Sequence, residues 1–224
     1  MIQFELEAND SNSRAGVLQT PHGTIYTPSF MPVGTLGTVK AMTSGEIKEL
    51  GAEIILGNTY HLHLRPGDEL VRKMGGLHQF MNWDGPILTD SGGFQIFSLA
   101  KLLELNEEGV FFRSHLDGIQ KTLTPEISIA IQQNLGSTIM MCLDQCLKLP
   151  ASRQEIECSI ALTANWAQRS KEASVNGSGV SGEQALFGIV QGGGELDLRE
   201  QSLMQILEIG FDGYAIGGLS VGET

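Results

Sequence analysis

The sequence predicts an α/β fold of the (β/α)8 TIM-barrel type, incomplete, with about six βα units present and β-hairpin insertions. Three observations carry this expectation. Short apolar runs alternate with stretches of helical period, the pattern that builds βα units around a parallel sheet. Six such runs stand out. Five of the six are closed by Asn, Asp, Gln or Gly-Gly, and a barrel gathers its chemical groups at the C-terminal ends of its strands. An open doubly wound sheet collects ligands at the same ends, but only near a switch point. So many polar ends favour a central mouth, while six strands where eight are needed stand against closure.

Taken in order, Gly16–Thr27 reads as an antiparallel hairpin, and Ser29–Val33 as the first parallel strand, closed by Gly34. Thr43 caps a helix over Thr43–Leu50, and the strand Glu53–Leu56 follows, closed by Asn58. Pro86–Thr89 is the third strand and ends on Asp90. A second hairpin spans Val110–Thr122 with its turn at Asp117-Gly118. Thr124 caps the next helix, with Pro125 at the first helical position, where a missing N–H costs nothing. Thr138–Leu143 ends on Asp144, and the amphipathic helix Arg153–Lys171 leads into a Gly/Ser-rich loop, Ser174–Gln184. Leu186–Val190 ends on Gln191, the helix Glu195–Ile209 follows, and Gly213–Ile216 ends on Gly217-Gly218.

Composition narrows the function. With 14 basic and 26 acidic residues the net charge is −12, which excludes a basic nucleic-acid coat and leaves only local contact with a polyanion. Hydrophobic residues make up 41% and no apolar run approaches the length of a membrane span, so no membrane partner is expected. The N-terminal MIQFELEAND has no apolar core of a secretory signal, and the three cysteines (Cys142, Cys146, Cys158) form no Cys-x-x-Cys pair. The reading is a reduced, cytoplasmic protein with no metal held by this chain. Glycine is in excess, 28 of 224 residues against a usual level of about 7%, without a period-three repeat, which points to glycine-dependent loops.

In Thr89-Asp90-Ser91-Gly92-Gly93-Phe94-Gln95 a strand-end carboxylate precedes two glycines that let a backbone approach a ligand, and then an aromatic. This reads as a general acid/base beside a stacking ring. The alternative is an Asp capping the next helix, with the glycines making the turn. Asp144 and Gln191 each end an apolar run and are singly open to a capping role; Gly217-Gly218-Leu219 offers backbone groups that no side chain obstructs. Together they supply a carboxylate that accepts two hydrogen bonds, an amide, and a bare N–H. That set complements the Watson–Crick edge of guanine. His61-Leu62-His63 has the His-x-His form of some metal-dependent barrels, but it follows Asn58-Thr59-Tyr60 and opens a helix, without partners to complete a ligand sphere. Cys146 has no His at a recognisable spacing and reads as pocket wall.

The segments Phe30–Thr35 (FMPVGT), Ile55–Pro66 (ILGNTYHLHLRP), Leu88–Gln95 (LTDSGGFQ), Phe187–Gly192 (FGIVQG) and Gly210–Glu223 (GFDGYAIGGLSVGE) closely resemble the tRNA-guanine transglycosylases, which exchange a guanine in tRNA for a 7-deazaguanine base. The resemblance runs from about residue 3 to the end. It implies a barrel with insertions and roles for individual residues. Asp90 is the acid/base aspartate, Ser91, Gly92 and Gly93 shape its loop, and Phe94 stacks on the base. Asp144 accepts from the base N1 and N2 groups, Gln191 and the Gly218 N–H address O6, and Leu219 contributes its carbonyl. Cys146 and Val221 resemble the bacterial pocket, which implies 7-aminomethyl-7-deazaguanine (prequeuine) rather than queuine. The implied partners are a tRNA with a GUN anticodon, guanine and the deazaguanine, with a homodimer for the complete family protein.

The resemblance also implies parts this chain does not contain. The family's nucleophilic Asp and the three Cys and one His of its structural zinc belong to segments beyond Thr224. The chain is therefore expected to be the N-terminal part, residues 1–224, of a single barrel domain, lacking the zinc-binding segment and inactive alone. The alternatives are a non-catalytic base-binding fragment or partner subunit of a complete transglycosylase, and an unrelated barrel acting on a sugar phosphate.

Overall fold

In a computed structural model of the chain, residues 2–99, 101–177, 179–180, 182–219 and 221–222 are described. The elements run β1 (Gln3–Asp10), β2 (Ser13–Thr20), β3 (Gly23–Thr27), β4 (Val33–Gly34), α1 (Ser44–Glu49), β5 (Ile55–Gly57) and α2 (Thr59–Leu64). Then come α3 (Asp68–Lys73), α4 (Leu77–Met81), β6 (Ile87–Thr89), α5 (Gly93–Leu99), β7 (Lys101–Leu105), β8 (Val110–Arg113) and β9 (Gln120–Leu123). The rest are α6 (Pro125–Leu135), β10 (Ile139–Met141), α7 (Arg153–Asn176), β11 (Ala185–Val190), α8 (Leu196–Ile209) and β12 (Gly213–Ile216). The chain forms two compact units, one of residues 1–90, 131–140 and 178–185, the other of residues 91–130, 141–177 and 186–224.

The first unit carries an antiparallel sheet in the order β1-β2-β3 and the parallel ladder of β4, β5, β6 and the start of β10. Its register is set by Val33↔Leu56, Ile55↔Ile87, Gly57↔Thr89 and Met140↔Thr89. Both faces of the ladder are covered: Ile55 and Ile87 on the strands are fully buried, as are Leu62, Leu77 and Leu135 on α2, α4 and α6. Thr43 caps α1 in a full capping box with Glu46, as its sequence position predicts. The first parallel strand is shorter than Ser29–Val33. Pro28 and Pro32 have no N–H for a ladder, and the Pro32 carbonyl accepts from Leu56 N at 2.9 Å just before β4 begins. Gly34 is part of that strand rather than its terminator.

The second unit holds the antiparallel sheet β7-β8-β9 and the parallel pair β11 and β12, registered Phe187↔Gly213 through Val190↔Ile216. The backbone after β10 joins β11 through Cys142 N–H to Phe187 O at 3.0 Å. Both hairpins of the sequence analysis prove to be three-stranded sheets, extended by β1 and β7. Asp117-Gly118 sits in the β8–β9 turn with Gly118 at φ +72°, and Thr124 Oγ1 caps α6 through Ile127 N at 3.2 Å. Helix α7 begins in a Ser152–Glu155 capping box and runs to Asn176, five residues beyond the predicted Lys171. Asn176 and Ser174, predicted as loop, instead bond back to the Glu172 and Lys171 carbonyls and hold the last turn. Ser178 and Ser181 of that predicted loop lie outside the described residues. Ile156, Ile160 and Leu198 pack α7 against α8. Among the described residues no helix is long and apolar enough to cross a membrane.

Candidate functional site

The parallel register of the first unit brings two strand-end residues side by side. Gly57 is the partner of Thr89, so the residues that follow, Asn58 and Asp90, emerge together. Asn58 Nδ2 donates to Asp90 Oδ2 at 2.5 Å, and the Thr59 N–H donates to Asp90 Oδ1 at 2.9 Å. Asn58 is the N-cap residue of α2 yet makes no side-chain cap bond. The Asp90 carboxylate supplies the acceptor instead. Asp90 thus caps the helix that precedes it in the chain. Its own N–H is held by Gly57 O at 3.2 Å, so the carboxylate has a fixed direction.

In the second unit Asp144, 8% exposed, follows β10, and Gln191, 3% exposed, ends β11. Gln191 Nε2 donates to Asp144 Oδ2 at 2.6 Å, and Ser91 Oγ lies 3.4 Å from Oδ1. The Gln191 N–H is itself held by the Ser202 hydroxyl at 3.1 Å. Gly93 leaves room for this residue's backbone: a Cβ there would lie 3.1 Å from Asp144 O. Beyond β12, a Cβ on Gly217 would lie 2.5 Å from Gln191 Nε2, so the Gln191 amide rests on bare glycine backbone. Gly218 follows at φ +67°, in the left-handed region that glycine enters without strain.

The remaining sequence-predicted residues are placed as follows. Gly92 has φ +85°, the turn the DSGGF string requires, and Phe94 on the first turn of α5 is 49% exposed. Leu219 is exposed, Cys146 is half-buried, and half-buried Val221 gives its carbonyl to Leu149 N at 2.9 Å. Ser220 and Glu223 of the GGLSVGE string lie outside the described residues. Cys142 is fully buried; that burial first, and the Asp144 charge second, push its thiol well above the usual range. Among the described residues no group of three or more His, Cys, Asp or Glu side chains is placed to hold a metal. His63 instead pairs with Asp68 at 2.7 Å within the first unit. Sequence reasoning missed Thr59, Ser202 and Arg199, the last of which bonds the carbonyls of Gly193 and Gly217.

The fold and site define a parallel α/β protein with a buried carboxylate–amide pair at its strand ends, beside a glycine backbone. The chain belongs to the queuine tRNA-ribosyltransferase family, whose model matches residues 10–224. It is 58% identical over 220 residues to the queuine tRNA-ribosyltransferase of Jannaschia sp. (strain CCS1), a match covering 98% of this chain and 57% of the relative. The proteins of the same name from Solidesulfovibrio magneticus (58% identical, 99% of this chain and 58% of the relative) and Thermoanaerobacter sp. (strain X514) (57%, 99% and 59%) are similar to it as well. The chain spans under three-fifths of the length of these curated relatives. The family is the one the sequence motifs resemble.

Proposed function

We propose that the protein serves tRNA-guanine transglycosylation, in which the guanine at the first anticodon position is exchanged for 7-aminomethyl-7-deazaguanine on the way to queuosine. The observation that carries this reading is the buried Asp144–Gln191 pair beside Gly217-Gly218. Guanine presents two N–H donors next to the O6 acceptor. Asp144 accepts from N1 and N2, while the Gln191 amide and the Gly218 N–H donate to O6. The Leu219 carbonyl is a further acceptor, and Phe94 stacks on the ring. A purine with the wrong edge leaves these buried groups unpaired, which is the stronger form of discrimination. Cys146 and Val221 bound the pocket and favour prequeuine over bulkier queuine.

The chemistry is a double displacement at the ribose C1′ of a flipped-out nucleotide. An aspartate attacks C1′, the bond from C1′ to guanine N9 breaks, and guanine leaves with the electron pair and gains a proton. The incoming base loses its N9 proton with the help of Asp90, attacks C1′ and releases the aspartate. Carboxylates near the oxocarbenium-like transition state favour both steps. Ser91, Gly92 and Gly93 shape the loop behind Asp90. On the family resemblance, the nucleophilic aspartate, the zinc ligands and the strands that close a barrel belong to sequence outside these 224 residues, and the complete protein is a cytoplasmic homodimer acting on GUN-anticodon tRNA.

A second reading is a base-binding protein that does not itself exchange; the buried Asp144–Gln191 pair suits it as well, since recognition of a base edge needs no nucleophile. Calorimetric binding of prequeuine, abolished by Asp144→Ala, is the expected result; binding unchanged by that substitution overturns the pocket. Labelled guanine entering an unmodified GUN-anticodon tRNA with this chain alone overturns the assignment of the nucleophile to another segment.

A further inference from the structure

Arg199 lies on α8, where its backbone N, Cα and Cγ would stand 2.6, 2.8 and 2.7 Å from a Cβ on Gly192. Only glycine lets the loop after β11 pass so close to the helix, and Gly192 has φ +135°. From there the guanidinium spans two loops. Its Nε donates to Gly193 O at 2.8 Å and its Nη1 to Gly217 O at 3.0 Å. Its Nη2 stands 3.5 Å from the Cβ position of Gly218, whose other near neighbour is Gln191 Oε1 at 2.8 Å. The planar fork with fixed N–H directions suits two carbonyls at once, which an ammonium group cannot match.

The Gly217 carbonyl and the Gly218 N–H belong to one planar trans peptide unit and point in opposite directions. With glycine on both sides this peptide unit meets no Cβ obstacle to rotation, and a flip of it would replace a donor by an acceptor. We propose that Arg199 is a positioning residue for base discrimination: by holding the Gly217 carbonyl on its own side it aims the Gly218 N–H at position 6 of the base. The assignment rests on the base-pocket reading above and adds to it the group that sets the donor's direction. Arg199 touches no reacting atom. Its effect falls on recognition at one edge position, not on affinity for purines in general.

The test compares guanine with 6-thioguanine, which keeps the N1 and N2 donors and weakens only the acceptor at position 6. Equilibrium binding of both bases is measured for the chain and for Arg199→Met and Arg199→Lys, with folding checked by circular dichroism and thermal melting. Arg199→Met is expected to weaken guanine about tenfold, the upper scale of one neutral hydrogen bond to the base, and 6-thioguanine by much less, so that the preference between them collapses. Arg199→Lys keeps charge and helix packing but not the fork, and gives an intermediate ratio. Should Arg199→Met fail to fold, the ratio for Arg199→Lys decides. Equal weakening of both bases, or an unchanged ratio, overturns the assignment while leaving an Asp144-dependent pocket intact. Absence of binding by the unsubstituted chain overturns the pocket and the assignment together.

Discussion

Gln191 Nε2 donates to Asp144 Oδ2 at 2.6 Å, and both side chains are more than nine-tenths buried. The amide neutralises nothing, but it directs a donor at a desolvated carboxylate, where the loss of a partner costs about 1–3 kcal/mol. The two groups therefore hold each other in place.

Gln191→Glu turns this pair into two buried carboxylates. We expect a destabilisation of about 2–3 kcal/mol near neutral pH. Like-charge repulsion raises the folded pKa of the pair above the unfolded carboxylate value, so the folded variant holds the extra proton as pH falls. The deficit is full above that raised pKa and is recovered on descent toward about pH 4. Urea unfolding at pH 8 and pH 5 measures it, and an equal deficit at both values would contradict the shared-charge account.

Asp90→Ala removes the acceptor of the Thr59 N–H and leaves Asn58 Nδ2 without its carboxylate. The first turn of α2 is expected to lose about 1 kcal/mol, as for a deleted helix cap. Amide hydrogen exchange at Thr59 reports this as roughly fivefold faster exchange. Unchanged protection would mean the cap lies elsewhere.

His78 stacks on His22 with ring centroids 3.9 Å apart, and its pKa is lowered to about 4, chiefly by burial and then by the neighbouring His22. Burial also lowers His22, whose Nδ1 lies 2.9 Å from Thr138 Oγ1. Below the unfolded histidine value of about 6.5 the unfolded chain takes up protons that the folded chain refuses. Stability is thus complete above about pH 6.5 and declines as pH falls toward 4. His78→Phe keeps the stack and is expected to flatten that slope in melting curves recorded from pH 7 to 4.5.

The thiols should separate by reactivity. Cys158 is exposed on α7, whereas Cys142 is fully buried with its thiol pushed up. Iodoacetamide at pH 8 is expected to label Cys158 in the folded protein and Cys142 only under denaturing conditions, read by peptide mass spectrometry. Rapid labelling of Cys142 would show that the strand after β10 opens readily.

The strand ends are legible in the sequence because an apolar run that stops on a single polar residue marks the point where a buried strand gives way to a loop. Asp90 and Gln191 directly follow β6 and β11, while β10 ends at Met141, so that Cys142 and Leu143 separate it from Asp144. The first strand is shorter than its pattern suggests because SFMPV is apolar, yet its proline withholds a ladder donor. Lys101–Leu105 hides a strand in a composition that suits a helix equally well. The bond between Asn58 and Asp90 depends on a register 32 residues apart in sequence, which no local pattern encodes. Arg199 is invisible for another reason. An arginine in an amphipathic helix normally marks the solvent face, and its targets here are backbone carbonyls, which carry no residue signature.

The parallel strands β4, β5, β6 and β10 are only two or three residues long. Each is a ruler with very few marks, and the groups just past its end are located by counting from them. A one-residue slip of β5 against β6 would set Asn58 beside Thr89 and leave Asp90 facing the next position, with every side chain on the opposite face. Insertions and deletions inside these segments therefore act as errors of address, displacing the carboxylates without touching them. Length changes in the intervening turns carry no such penalty, so the chain has freedom to vary between the strands and almost none along them.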